Sequence, residues 1–385
     1  MSFSNMDRRR FIKCVSCGSV LAATQTELVP EILGGLQNVC AFEYTNELSE
    51  VEARYYTKLD GGGIECGICP RKCRITDLER GYCGTRENRN DKYYTLVYGK
   101  ACAMNIDPIE KKPLFHFYPG TDAFSLATAG CNVNCKCCQN WEISQQRPEQ
   151  VQNIDLPPKE IVDICRARSI PNIAYTYSEP VIFYEYMYDT AALGHEHGIK
   201  SVMISGGYIE SEPLNKLLPH LDAIKIDLKA IRPEYYRDYV DGELQPVLDR
   251  LVQIKNAGKW LELVYLVLPT LNDSDAEFKE LAGWIKTNLG PEVPLHFSRF
   301  HPQYLLKHLP ATPTATLERA VEISRAEGLQ FVYLGNVPGH AAESTYCPTC
   351  GKIVIERYGY RINKQNMKGN VCRSCGHEIP GVFAG

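Results

Sequence analysis

Cysteine is the residue type in this chain with the most chemistry to offer, and 17 of the 385 residues are cysteine. The odd number excludes pairing all of them in intramolecular disulfides, so their spacing carries the information. Cys131, Cys135 and Cys138 have the spacing C-x3-C-x2-C. That gathers three thiolates on one tight loop and leaves a fourth coordination position without a local protein ligand. Structural zinc closes all four positions. A four-iron cluster, ordinarily held by four cysteines, keeps one iron open to a small molecule when only three thiolates bind it. Cys347-x2-Cys350 and Cys372-x2-Cys375, separated by 21 residues, form two knuckles near zinc-ribbon spacing. Four thiolates satisfy one tetrahedral metal, so zinc is preferred there over a rubredoxin-like iron. Cys66-x2-Cys69-x3-Cys73-x9-Cys83 is a second four-thiol set, open to zinc or to an auxiliary iron–sulfur cluster, with zinc slightly ahead because the basic residues around Cys73 indicate no redox partner. Cys102 and Cys165 read as core residues, and Cys14, Cys17 and Cys40 belong to the N-terminal segment.

These thiols need a scaffold, and the pattern between residues 124 and 336 supplies one. Short β-prone runs near 124–128, 172–177, 200–205, 223–229, 260–268, 294–300 and 330–335 alternate with amphipathic stretches: Lys159 to Arg168, Phe183 to His197, Glu212 to Leu221, Val247 to Ala257, Asp275 to Leu289 and Leu317 to Glu327. Strands alternating with helices give a parallel sheet, and seven units fall short of a complete eight-unit barrel. The fold class is therefore α/β, an incomplete parallel (β/α) barrel with small N-terminal and C-terminal Cys-rich metal-binding modules; a doubly wound open sheet is the runner-up. Residues 1–40 form the N-terminal segment, 46–120 a loop-rich Cys-containing region, 121–340 the barrel and 343–385 a zinc-ribbon-like module. Ligands of parallel βα architectures bind beyond the carboxyl ends of the strands. The polar residues there are the cysteine loop, Ser178 and Glu179, Gly206, Asp227 and Lys229, and the histidines His296 and His301.

Composition narrows the function classes. With 44% hydrophobic and 23% charged residues the chain is not disordered, and a net charge of −4 argues against broad electrostatic binding to nucleic acid. No apolar run is long enough for a transmembrane helix. Arg8, Arg9 and Arg10 followed by Phe11 and the apolar run Cys14 to Ala23 resemble a twin-arginine export signal. Localisation is thus expected to be cytoplasmic, with export after cofactor loading as the alternative.

A C-x3-C-x2-C loop after the first strand of a βα barrel is the signature of the radical S-adenosylmethionine superfamily. More narrowly, the run Asp107-Pro108-Ile109-Glu110-Lys111-Lys112-Pro113-Leu114-Phe115-His116-Phe117-Tyr118-Pro119-Gly120 is similar to that of the AmmeMemoRadiSam system radical enzyme, a family related to pyruvate formate-lyase-activating enzymes. Further matching segments are Gly130-Cys131-Asn132, Cys138-Gln139-Asn140-Trp141, Tyr175-Thr176-Tyr177-Ser178-Glu179-Pro180, Tyr333-Leu334-Gly335-Asn336 and Ile379-Pro380-Gly381-Val382-Phe383. The resemblance implies a [4Fe-4S] cluster on Cys131, Cys135 and Cys138, with S-adenosylmethionine chelating the open iron. It implies contacts to the methionine amino group near Ser178-Glu179-Pro180, a supporting Asp227/Lys229 pair, and a ribose contact from His296, with His301 as competitor. Two departures stand out. Cys137 occupies a position that is usually aromatic, and Tyr177-Ser178 replaces a Gly-Gly pair.

The function so implied is reductive cleavage of S-adenosylmethionine to a 5′-deoxyadenosyl radical that abstracts hydrogen from a protein or small-molecule substrate. The expected partners are an electron donor such as a flavodoxin or ferredoxin and the other components of the system. The alternatives are a metal-binding scaffold that has lost catalysis and a glycyl-radical-enzyme activase.

Overall fold

The computed structural model describes residues 43–383. The arginine-rich segment and Cys14, Cys17 and Cys40 lie outside the described residues. Eight strands form the central sheet in chain order: β1 Ala103–Pro108, β2 Asp122–Ala127, β3 Asn172–Tyr175, β4 Lys200–Ser205, β5 Ala223–Asp227, β6 Trp260–Val267, β7 Leu295–Arg299 and β8 Val332–Gly335. From β2 to β8 every neighbouring pair is parallel, and β1 joins β2 antiparallel at the edge. β8 does not pair with β1, so the barrel stays open.

Six helices of seven residues or more run between the parallel strands: α1 Pro158–Ala167, α2 Tyr184–Glu196, α3 Ser211–Leu217, α4 Leu244–Asn256, α5 Asp275–Asn288 and α6 Thr314–Ala326. Each buries one stripe. In α4 the buried residues are Leu244, Val247, Leu248, Leu251 and Ile254, which is helical spacing. The strands are buried on both faces, as parallel strands covered by helices must be. All seven strands expected from the sequence are present. β1 is an addition, because the polar and proline-ended run Ala103–Pro108 carries no strand pattern of its own. The region before it holds short antiparallel strands, among them Ile64–Cys66, Arg86–Arg89 and Lys92–Thr95, each too brief to show a period.

An open barrel needs its lower end filled, and the run from Asp107 to Gly120 does this. Phe117 and Leu114 lie in one apolar cluster with Ala123, Ala174, Val202 and Ala223. Phe115 lies in another with Tyr333, Val354, Ile355, Met367 and Ile379, so the C-terminal segment shares its core with the floor of the sheet. The two are also stitched by backbone: Tyr118 N donates to Val382 O and Val382 N to His116 O, each at 2.7 Å. The hairpin β9 Ile353–Tyr358 and β10 Arg361–Gln365 adds Arg357, which is buried. Its guanidinium donates to Phe115 O at 2.7 Å and to Thr345 Oγ1 at 2.7 Å.

The charge on the floor is balanced by Glu262 of β6. One carboxylate oxygen accepts from His116 N (2.8 Å) and Trp260 Nε1 (3.0 Å), and the other from Phe115 N (3.0 Å) and His296 Nε2 (2.7 Å). His116 is also buried, with Nδ1 2.6 Å from Pro380 O and Nε2 2.5 Å from Tyr333 Oη. A carbonyl only accepts, so Nδ1 carries the proton and Nε2 accepts from the tyrosine. Burial pushes the His116 pKa down to about 4, and the field of Glu262 only partly opposes this.

Unfolded, the same histidine takes up a proton near pH 6.5. The unfolded chain therefore binds more protons between pH 6.5 and 4, and stability falls as the pH drops through that window. Urea unfolding is expected to show a loss on the order of 2–3 kcal/mol from this group at pH 4, with a shallower fall in His116→Gln. Equal pH slopes in the two proteins would contradict the assignment.

Candidate functional site

The cysteine loop leaves β2 at the carboxyl end of the parallel sheet and has no regular secondary structure from Gly130 to Asn140. Within it, Cys138 N donates to Cys135 O at 2.9 Å. Gly130 N donates to Ile143 O and Gln145 Nε2 to Val133 O just after the loop, at 2.9 and 3.1 Å, and further fixings come from the connections after neighbouring strands. Asn140 Nδ2 donates to Tyr177 O after β3 (2.7 Å), and Asn132 Nδ2 to Tyr208 O after β4 (2.7 Å). Asn134 N and Lys136 N donate to Val240 O and Tyr239 O after β5, at 3.0 and 2.9 Å. Leu305 N, after β7, donates to Lys136 O at 3.0 Å, and Tyr304 stacks on Trp141 at 5.3 Å. The N-terminal region closes the ring, since Arg71 Nε donates to Asn132 O at 2.5 Å. Gly130 starts the loop at φ +97°, and a Cβ there would meet Thr85 Cγ2 at 2.5 Å and Cys83 O at 2.7 Å.

Cys131, Cys135, Cys137 and Cys138 stand partly open at this mouth. The protein packed around the thiols pushes Cys131 and Cys135 well up and Cys137 to about 11. Glu179, Cys135 and Cys138 add to the shift at Cys131, while the Lys229 ammonium opposes it at Cys135 and Cys137. Cys131, Cys135 and Cys137 are therefore poor anions by themselves and need a bound cation to become thiolates.

The other strand-end residues split into those at the mouth and those below it. Ser178 Oγ donates to Thr128 O at 2.7 Å, fixing the end of β3 to that of β2. Glu179 is buried; it accepts from Ser205 Oγ (2.6 Å), Gly206 N (2.8 Å) and Val181 N (3.2 Å). Its partners are a hydroxyl and two amides, with no cation, and burial pushes its pKa up. A buried carboxylate in that state favours an incoming ammonium group. Asp227 is the opposite case. Burial alone would raise its pKa, but Lys225 and Lys229 hold it at about 2, with Lys229 Nζ at 3.3 Å and Lys225 Nζ in direct contact.

His296 does not sit where the resemblance implies. It is the second residue of β7, with Nε2 on Glu262 and its ring packed by Phe115 and Tyr333, so it belongs to the floor. His301 lies past the end of β7 and is exposed.

Between floor and mouth lie charges the sequence reading missed. Asp107 binds Lys111 Nζ (2.8 Å), Lys112 Nζ (2.5 Å) and Tyr177 Oη (2.5 Å). Lys112 is buried against the Tyr177 ring, and that burial lowers its pKa to about 8. Lys225 is two residues before Asp227 on the same face of β5. A lysine at that parity inside the apolar run Ala223–Leu228 was the available signal.

The flanking cysteine sets differ in geometry. The sulfurs of Cys347, Cys350, Cys372 and Cys375 all lie within 4.8 Å of one another, with Cys347–Cys375 at 3.6 Å and Cys350–Cys372 at 3.9 Å. Among the described residues no other three cysteine, histidine or acidic ligand atoms are so close. Cys66, Cys69, Cys73 and Cys83 are brought together more loosely. Cys66 N donates to Cys73 O at 2.9 Å, and the charges of the other three all reach Cys69, whose pKa burial pushes up to about 12.

An open, sequentially ordered parallel barrel with a three-cysteine loop after its first parallel strand defines a class, and residues 125–282 match the Radical SAM superfamily. Residues 125–282 are thus a domain of that superfamily. The chain is 47% identical over 330 residues to an uncharacterized protein of Methanocaldococcus jannaschii, covering 85% of this chain and 98% of the relative. It is 24% identical to the pyruvate formate-lyase-activating enzyme of Clostridium pasteurianum over 41% of this chain and 66% of that enzyme. The (2S)-3-sulfopropanediol dehydratase activating enzyme of Klebsiella oxytoca is 23% identical over 33% of this chain and 40% of its own length. A solved radical SAM methyltransferase from Sphaerobacter thermophilus aligns at TM-score 0.43 and 18% identity, covering 62% of this chain and 71% of that one. The superfamily implies a [4Fe-4S] cluster and S-adenosylmethionine, and the donor set fits both: three adjacent thiols, and a buried carboxylate lacking a cation. No helix among the described residues is long and apolar enough to cross a membrane.

Gly130→Ala tests how tightly the loop is held. The added carbon must displace Thr85 or the Cys83 carbonyl from an already left-handed residue, a strain of about 1–3 kcal/mol. Thermal unfolding is expected to shift down and iron uptake to fall, whereas wild-type values for both would show the loop to be slack.

Proposed function

We propose that the chain is a radical S-adenosylmethionine enzyme in which Cys131, Cys135 and Cys138 hold a [4Fe-4S] cluster. The observation that carries this reading is three partly open thiols on one loop at the carboxyl end of the parallel sheet, with the fixings of that loop spread over four other strand connections. When bound, the cluster and S-adenosylmethionine supply a one-electron cleavage that yields methionine and a 5′-deoxyadenosyl radical.

The chain's own residues do the positioning. Ser178, Glu179 and Gly206 form a hydrogen-bonded edge that offers an ammonium group its counter-charge. Asp227 keeps Lys229 charged and aimed at the thiol loop, since both Asp227 and the Cys135 and Cys137 thiols raise the Lys229 pKa. The substrate we favour is a protein backbone, from which hydrogen is abstracted as in glycyl-radical activation. The relatives named as activating enzymes support this choice. An electron donor of the flavodoxin or ferredoxin class and the other components of the AmmeMemoRadiSam system are the proposed partners. The C-terminal set is read as structural zinc: a tetrahedron with Zn–S near 2.3 Å separates its sulfurs by about 3.8 Å, close to the 3.6 and 3.9 Å found.

Cys131→Ala, reconstituted without oxygen, is expected to form no 5′-deoxyadenosine with a strong reductant, while Cys137→Ala keeps forming it. Product from the Cys131 variant would sink the cluster assignment. For the C-terminal set, plasma emission analysis should find about one zinc per chain. Stripping it should free Arg357 from the floor and lower the unfolding temperature; iron at that position would refute the zinc reading.

A further inference from the structure

The thiols of Cys66, Cys69, Cys73 and Cys83 form a site that the reaction at the mouth does not use. We infer that this site holds a second [4Fe-4S] cluster, which passes single electrons to the cysteine loop at the mouth.

Geometry separates it from the C-terminal set. One zinc ion draws its four sulfurs to about 3.8 Å from one another, and the C-terminal four are already within 4.8 Å. In the N-terminal set no three sulfurs are that close. The thiols of the mouth likewise form no such tight group, and an iron–sulfur cube does not call for one, because its thiolates sit on four different irons. The backbone still holds the four as one group. Cys66 N donates to Cys73 O at 2.9 Å, Lys72 N donates to Cys69 O at 3.2 Å, and Tyr82 N lies 3.5 Å from Cys73 Sγ.

Two buried donors face the Cys66 thiol. Arg86 is fully buried and gives its terminal nitrogens to Glu185 at 3.1 and 2.5 Å, but its Nε bonds to nothing. The Tyr93 hydroxyl is equally buried and lies against the Cys66 thiol, with no oxygen or nitrogen partner. A Cβ on Gly81 would come 3.2 Å from Tyr93 Oη and 3.7 Å from Cys73 Sγ, so hydroxyl and thiol border the same gap. Unpaired buried donors are costly. Sulfide and thiolate acceptors of an anionic cluster would satisfy them, and such bonds set its potential.

The path to the mouth is short. Cys83 O touches Gly130, the residue before Cys131. Arg71, between Cys69 and Cys73, bonds Asn132 O and lies 3.5 Å over the Tyr82 ring. Beside them a surface cleft of about 400 Å³ is lined by Pro70, Arg71, Cys73, Tyr82, Tyr208 and Asp241, among others. A reduced flavodoxin- or ferredoxin-class donor gives up one electron there. The second cluster takes it, returns to its resting state as the electron moves to the mouth, and the donor leaves oxidised by one.

The occupancy test does not depend on chemistry at the mouth. The full chain reconstituted without oxygen should carry about eight irons and eight sulfides. The variant Cys131→Ala/Cys135→Ala/Cys138→Ala should keep about four of each, with the Mössbauer signature of a [4Fe-4S] cluster. That variant carrying two zincs and no sulfide would overturn the proposal. The relay rests on the proposed function and is read separately. In Cys73→Ser, 5′-deoxyadenosine formation driven by reduced flavodoxin should fall at least about tenfold, while the electron paramagnetic resonance signal of the mouth cluster persists. An unchanged rate in that variant would overturn the relay.

Discussion

Three cysteines on a loop with almost no bonds of its own can be held only by something else, and that constraint shapes the upper half of this molecule. The loop from Gly130 to Asn140 is fixed by carbonyls and amides after β3, β4, β5 and β7, and by Arg71 from the N-terminal region. Each contact is one ordinary hydrogen bond, worth about 1 kcal/mol net. Their effect lies in coming from elements that are themselves fixed by a parallel sheet buried on both faces. Geometry at the thiols is thus borrowed from the strand order, which runs unbroken from β1 to β8.

The lower half solves a different problem. A sheet that curls without closing leaves an interior to fill, and the run Asp107 to Gly120 enters it with Leu114, Phe115 and Phe117. Bringing that backbone inside strands two amides, and Glu262 accepts both while also holding Trp260 and His296. The Arg357 guanidinium, from the far end of the chain, bonds the Phe115 carbonyl and offsets the buried acids. The C-terminal segment is therefore part of the floor, and its four thiols flank the hairpin that carries Arg357 into it.

Much of this was legible in the chain. Strands β2 to β8 and their helices follow from apolar runs alternating with helical stripes, and helix ends such as Ala257-Gly258 carry their own stop signal. The first strand was not legible, because Ala103–Pro108 pairs through its backbone and its side chains carry no alternation. Lys112 and Lys225 were passed over for a related reason. Pattern reading treats a lysine as a surface residue, and only the partners Asp107 and Asp227 make its burial tolerable. His296 was misplaced because its position along β7 decides whether it faces mouth or floor, and strand boundaries read from sequence are uncertain by that much.

The sequence by itself determined the kind of chemistry and the layer architecture, since both follow from residue type and local period: three thiols at C-x3-C-x2-C, and seven strands alternating with six helices. Tertiary structure alone decided which groups meet. It set Arg71 on the Asn132 carbonyl, put Glu179 beside Ser205 and Gly206, and bound Phe115 to Arg357 across 242 residues. It also made the two four-thiol sets differ, one with all its sulfurs within 4.8 Å of one another and one without such a group. The physical reason is that a hydrogen bond or a metal ligand is specified by distance in space. Spacing along a chain constrains that distance only within one turn or loop, and beyond it the sheet decides.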